Sequence, residues 1–271
     1  MADWKDYPAA VDPARPGVVG RIMQLPAVHS PQLDNERDLL VYLPRSYDAG
    51  DRYPVIYMHD GQNLFDPATS FAGEWAVDQL LEDASGDGLE AIVVAIPNIG
   101  PERTNEYSPF LDEKNGGGRG ELYLRFIAET VKPLVDADFR TLADRANTGI
   151  AGSSLGGLIS LYAFFRYRHV FGFAGVMSPA LWFAGGAVLA WVARQPYAGG
   201  RIYIDVGMKE GRKTLEDVLR LRDVLEQKGY RHLHDLLCVV DTAGDHSERA
   251  WARRLRRELT FLIVGPDAET S

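Results

Sequence analysis

The chain has 271 residues, 46% hydrophobic, 10% aromatic and 25% charged. That is enough to bury one sizeable core, and it excludes a chain too polar to fold. With 29 Lys and Arg against 38 Asp and Glu, the net charge of -9 offers no basic surface for nucleic acid or an anionic membrane.

The opening segment, MADWKDYPAAVDPARPG, is polar and Pro-rich. It lacks the apolar core of a secretory signal, so a cytoplasmic protein is expected, with residues 1–17 a loosely ordered extension. VVGRIMQL (18–25) and RDLLVYLPRSY (37–47) read as an antiparallel strand pair at one edge of a sheet. Six short apolar runs then read as strands covered on both faces, because their hydrophobicity is continuous rather than alternating. They are VIYM (55–58), AIVVAI (91–96), TGIAG (148–152), FAGVM (173–177), IYIDV (202–206) and LLCVV (236–240). The single cysteine, Cys238, lies in the last of these and reads as a small buried hydrophobe; no intramolecular disulfide is possible. Helical patterns lie between them: EWAVDQLLEDA (74–84), ELYLRFIAETVKPLVDADF (121–139) with a kink expected at Pro133, LGGLISLYAFFRYR (155–168), TLEDVLRLRDVLEQKG (214–229) capped at Gly229, and SERAWARRLRRELTFLI (247–263). NGGGRG (115–120) is a flexible loop and 265–271 a frayed tail. No run of about 18 apolar residues could span a bilayer. Alternating strand and helix predict one α/β domain over 1–271, a doubly wound, mostly parallel sheet with an antiparallel N-terminal edge.

Chemistry is concentrated at NTGIAGSSLGGLISLYAFF. The pattern G-x-S-x-G fits one frame only, Gly152-Ser153-Ser154-Leu155-Gly156, with Ser154 at its centre. A strand precedes it and a helix follows, the context of a nucleophile elbow. A serine hydroxyl needs a base to accept its proton. Of six histidines, His246 alone follows the last strand in a loop, TAGDHSE, at the strand end where ligands meet an open α/β sheet. His232 and His234 lie at the other end of that strand. The third member should come from the loop after IYIDV. Asp205 lies within that strand, whereas Glu210 lies just past its end, level with the other loops; position favours Glu210. Two backbone amides should hold the oxyanion. One is that of Leu155, the residue after the nucleophile. The other belongs to GQNLF, with Gln62 the favoured donor and Asn63 behind it. His59 and Asp60, in MHDG, are read as structural, and the chemistry calls for no metal or organic cofactor.

VIYMHDGQNLFD, NEYSPF, GIAGSSLGGLISLY, VMSPALWF, IYIDVGMKEG and AGDHSERAWARRL together resemble the Putative esterase family of α/β-hydrolases, the enterochelin esterase-like, feruloyl esterase-like and S-formylglutathione hydrolase-like enzymes, which is also related to the mycolyltransferases. The resemblance runs from about Arg37 to Phe261. Carried over residue by residue, it places the family's serine on Ser154, its acid on Glu210 and its histidine on His246. The match to the family begins near Arg37, so neither the extra N-terminal domain of the siderophore esterases nor the signal peptide of secreted polysaccharide-acting members is expected. The expected activity is hydrolysis of small-molecule esters, aryl or short-chain, through an acyl-enzyme. Acyl transfer to an alcohol or sugar and a catalytically silent binding module are the alternatives. In RTNEYSPF, Arg103, Glu106 and Tyr107 either wall the substrate pocket or pin a long loop through an ion pair, with pinning favoured. In SPALWF, Trp182 and Phe183 either line the cleft or close the core under a helix.

Overall fold

A computed structural model describes residues 2–8 and 17–266. The chain begins with β1 (Lys5–Asp6), β2 (Arg21–Ser30), β3 (Asn35–Leu43) and β4 (Val55–His59). Then come α1 (Val77–Ala84), β5 (Ile92–Ile96), the four-residue α2 (Arg103–Glu106) and a small hairpin, β6 (Leu111–Asp112) with β7 (Gly116–Gly117). After α3 (Gly120–Phe126) and α4 (Lys132–Asp138) follow β8 (Thr148–Ser153), α5 (Leu155–Arg166), β9 (Phe173–Met177) and α6 (Ala187–Arg194). The chain closes with β10 (Arg201–Gly207), α7 (Arg212–Gln227), β11 (Leu236–Asp241) and α8 (Glu248–Leu259).

Nine strands form one sheet in the order β1-β2-β3-β5-β4-β8-β9-β10-β11. From β5 to β11 every pairing is parallel, whereas β1, β2 and β3 run antiparallel to their neighbours. The expected antiparallel edge is therefore present, and the six apolar runs are the six parallel strands. Burial on both faces explains the continuous hydrophobicity of the inner strands, whereas edge strand β11 is buried at Leu236 and Leu237 and opens to solvent at Val240. Val55 and Tyr57 of β4 enter the core shared with α3, α5, α6 and α7. Ile56 and Met58 enter the one shared with α1 and α8. This is the two-sided covering of a doubly wound sheet.

The segments depart from expectation in four places. Helix α1 starts at Val77 rather than Glu74, because the chain from Asp60 to Ala76 is committed to a loop over the site, with Ala76 itself at φ 52°. The irregularity in the 121–139 helix is a wide π turn over Ile127–Val131, one turn before Pro133. It spans Glu129, whose carbonyl the proline ring would otherwise meet. Helix α6 has no counterpart in the sequence reading. At the N-terminus, residues 2–8 are held rather than loose: Ala2 N and Trp4 Nε1 donate to Asp138 at 2.8 and 3.0 Å, and β1 pairs with β2. The rest of the extension, 9–16, and the tail beyond 266 lie outside the described residues. Cys238 is half-buried in β11, and burial pushes its thiol up to about 11, so it stays protonated. Among the described residues no helix is long and apolar enough to cross a membrane.

Candidate active site

Ser154 stands between β8 and α5 at φ 58°, ψ -119°. A non-glycine residue adopts such angles only where its surroundings enforce them. Here the Ser154 amide donates to Met177 O at 3.0 Å and its carbonyl accepts from Ala180 N at 2.9 Å and Leu158 N at 3.1 Å. A side chain at Gly152 would meet His59 Cδ2 at 3.0 Å and the Gly156 carbonyl carbon at 3.1 Å, so the turn is tight against a side chain at that position. The neighbouring Ser153 still belongs to β8 and is buried.

His246 Nε2 lies 3.1 Å from Ser154 Oγ, and His246 Nδ1 lies 2.8 Å from Glu210 Oε2. The three residues come from loops at the carboxyl ends of β8, β10 and β11. Burial pushes the Glu210 carboxyl up, but hydrogen bonds from His246, Ser178 Oγ and the Gly207 amide outweigh it and hold the group below its usual range. It is therefore a carboxylate that can only accept, which orients Nδ1–H of the imidazole toward it. Asp205, the competing acid, is fully buried and turned away. It is bound to Arg254 at 2.7 Å, the Ser178 amide at 2.9 Å and Tyr203 Oη at 3.1 Å.

The loop carrying Gln62 is fixed from several sides. Gly61 packs so tightly on the end of β5 that a Cβ there would sit 2.6 Å from Ile96 N. The carboxylate of Asp60, itself at φ 54°, accepts from Arg103 Nε and Nη2 at 2.7 and 2.8 Å and from Asn98 Nδ2 at 2.7 Å. Burial opposes the Asp60 charge, yet the Arg103 guanidinium keeps its carboxyl below the usual range. Asn63 N donates to Asp60 O at 2.9 Å, so that amide is committed within the loop. His59 is buried with Nδ1 2.8 Å from Tyr123 Oη; burial lowers it to about 3, and it stays neutral. Among the described residues no group of three or more His, Cys, Asp or Glu side chains is arranged to hold a metal ion.

A cleft of about 870 Å³ opens on Ser154 and His246, walled by Gln62, Phe71, Trp75, Asn98, Arg103 and Trp251. A smaller hollow of about 310 Å³ lies beyond the His246–Glu210 pair, against Trp182 and Thr214. Trp182 is half-exposed there. Two expectations need correcting. Phe183 is buried in the main core, closing it beneath the Trp182 loop. Tyr107 is buried too; it packs on His59 and Tyr123 and accepts the Asp60 amide at 3.0 Å, so it supports the loop from below rather than walling the pocket. Glu106 pairs with Arg37 through two 2.9 Å bonds, pinning α2 as the ion-pair reading requires, whereas Arg103 both pins the loop and lines the cleft.

Ser178, Trp251 and Arg254 were absent from the sequence reading. A signal for one of them, Arg254, exists. The buried face of α8 is Ala250, Trp251, Arg254, Leu255, Glu258 and Leu259. A cation on an apolar stripe at helical spacing marks a partner inside the protein, and for Arg254 that partner is Asp205.

The model of the Putative esterase family matches residues 30–262. YbbA of Bacillus subtilis (strain 168) is 28% identical over 243 residues, 83% of this chain and 92% of that protein. The iron(III) salmochelin esterase of Escherichia coli O6:H1 is 27% identical over 233 residues, 80% of this chain. The chain spans only 52% of that esterase's length. In structure, the IroE-like serine hydrolase of Shewanella oneidensis superposes with a TM-score of 0.72 over 90% of this chain and 80% of its own, at 19% identity, a likeness of fold. A family model that spans nearly the whole sheet, from the end of β2 past α8, together with this doubly wound architecture, shows that the chain belongs to the Putative esterase family of α/β-hydrolases.

Proposed function

We propose that the protein hydrolyses carboxylic esters through a covalent acyl-serine, with Ser154 as nucleophile, His246 as general base and then acid, and Glu210 as the group that orients the imidazole. The observation that carries this reading is the unbroken chain Ser154 Oγ–His246 Nε2 at 3.1 Å and His246 Nδ1–Glu210 Oε2 at 2.8 Å. Ser154 Oγ attacks the ester carbonyl as its proton passes to His246 Nε2. The resulting imidazolium is stabilised by Glu210, which remains ionised. The tetrahedral oxyanion is held by the Leu155 amide at the N-terminus of α5 and the Gln62 amide, the neighbour of the committed Asn63 amide. His246 returns the proton to the leaving alcohol; a water activated by the same nitrogen then releases the acid and regenerates the serine. The aromatic walls of the cleft, Phe71, Trp75 and Trp251, suit an aryl or short acyl ester.

A fluorophosphonate tests the assignment. It should label the protein once, at Ser154, and Ser154→Ala should abolish both labelling and ester turnover while Ser153→Ala retains them. An adduct mapped to another residue, or a Ser153→Ala protein that is folded and inactive, would count against it.

A further inference from the structure

Ser178, the first residue after β9, takes no part in the chemistry just described, yet its surroundings are built around one hydroxyl. The residue is fully buried and sits at φ 40°. Its amide donates to Asp205 twice, to the main-chain oxygen at 3.1 Å and to Oδ1 at 2.9 Å, which holds the backbone in that strained turn. Its Oγ makes three hydrogen bonds. It receives Trp251 Nε1 at 3.0 Å and Arg254 Nη2 at 3.0 Å, and it lies 2.6 Å from Glu210 Oε1.

A serine hydroxyl has two lone pairs and one proton, while an indole N–H and a guanidinium can only donate. Trp251 and Arg254 therefore occupy both lone pairs, and the proton has one acceptor left, the Glu210 carboxylate. The polarity of that bond is decided by the donors behind it. Arg254 is in turn clamped by Asp205 at 2.7 and 3.2 Å. On the carboxylate, Oε1 receives both Ser178 Oγ and the Gly207 amide at 2.7 Å, which anchors it inward and turns Oε2 out toward His246. Glu210 is buried while the His246 side chain is about half exposed. The imidazole therefore takes its orientation from the acid, and the acid takes its rotamer from this anchor.

Resting on the serine-triad reading above, we infer that Ser178 is a positioning residue of the site, its hydroxyl oriented by Trp251 and Arg254 so that it locks Glu210 against His246. Misplacing a catalytic group by about 1 Å can cost on the order of 100-fold in rate. Losing the hydroxyl should therefore lower kcat by roughly 10- to 100-fold and leave KM unchanged.

The test uses Ser178→Ala and Ser178→Gly in the full chain. Glycine is unstrained at positive φ, so it preserves the backbone if alanine does not. Thermal melting establishes folding, and ester kinetics give kcat and KM separately. Proton NMR follows the downfield resonance of His246 Nδ1–H, which should be present in the wild-type protein and absent in Glu210→Gln. The expected result is the kcat loss with a shifted or broadened resonance. Trp251→Phe removes one donor and keeps the ring, and should show the same signature in smaller measure. A folded Ser178 variant with wild-type kcat and an unmoved resonance overturns the inference, as does a loss confined to KM. Should neither Ser178 variant fold, wild-type kcat and resonance in Trp251→Phe overturn it. If Ser154→Ala keeps full turnover, it is the triad reading that fails, and the positioning role falls with it.

Discussion

Replacing Glu210 with glutamine removes a charge but not a shape, and the surroundings dictate how the new amide must sit. The Oε1 position receives two donors, Ser178 Oγ at 2.6 Å and Gly207 N at 2.7 Å. The amide oxygen must take that place, because an NH2 group there would leave two buried donors unmet at about 1–3 kcal/mol each. The NH2 then faces His246 Nδ1, where the carboxylate now stands at 2.8 Å. Nδ1 can accept that donor only if the imidazole carries its proton on Nε2. In that tautomer Nε2 points a hydrogen at Ser154 Oγ and cannot take the serine proton. The loss of kcat should be roughly two to four orders of magnitude, about 3–5 kcal/mol in the barrier, with little change in KM, since the interaction matters only as charge develops. Initial rates on a chromogenic acetate ester, with thermal melting as the folding control, measure it. A folded Glu210→Gln protein that turns over at the wild-type rate would refute the reasoning, and so would a folded Asp205→Asn protein that loses more activity than Glu210→Gln.

Two further outcomes are expected. Arg103→Met strands the nearly buried Asp60 carboxylate with Asn98 alone; it should lower stability by about 2–4 kcal/mol in urea denaturation. Because the same loop aims Gln62, it should also reduce kcat on the order of tenfold, and unchanged kcat would separate that loop from the oxyanion. Asp78 supplies a pH dependence. One of its oxygens accepts Val19 N at 2.8 Å, the other is buried without a partner, and burial pushes the carboxyl up from 3.8 to about 6. The folded protein thus holds this proton to higher pH than the unfolded chain does. Stability from this group is complete below about pH 4 and is lost as pH rises through about 6, a cost on the order of 3 kcal/mol at neutral pH. Asp78→Asn should therefore be more stable than the wild type near pH 8, with the gain shrinking toward about pH 4; a gain equal at both ends would contradict this.

The features legible in the sequence are those whose causes are local. A strand covered on both faces reads as an unbroken apolar run, so the six parallel strands could be named. The elbow frame is legible because glycines flank Ser154, Gly152 among them in a place tight against a side chain, and the loops holding Glu210 and His246 could be placed because each directly follows a strand. Where a side chain's meaning depends on a distant partner, the reading failed. Tyr107, in a polar loop, is open to two readings in the sequence, a pocket wall or part of a pinned loop, and only its packing under His59 excludes the wall. Helix α6 was hidden in AVLAWVAR, where apolar residues on most sides blur the helical period.

By itself, the sequence determined the fold class and the G-x-S-x-G frame centred on Ser154, and it favoured His246 and Glu210 as the side chains that face Ser154, because backbone geometry and strand-end position act over a few residues. Only the tertiary structure decided that β5 lies between β3 and β4, that Arg103 reaches back 43 residues to Asp60, and that Ser178 meets Trp251 and Arg254 from 73 and 76 residues away. Those contacts depend on how the strands are ordered and how the helices fold back over them. No local pattern encodes that order, since it is settled by burying both faces of the sheet at once.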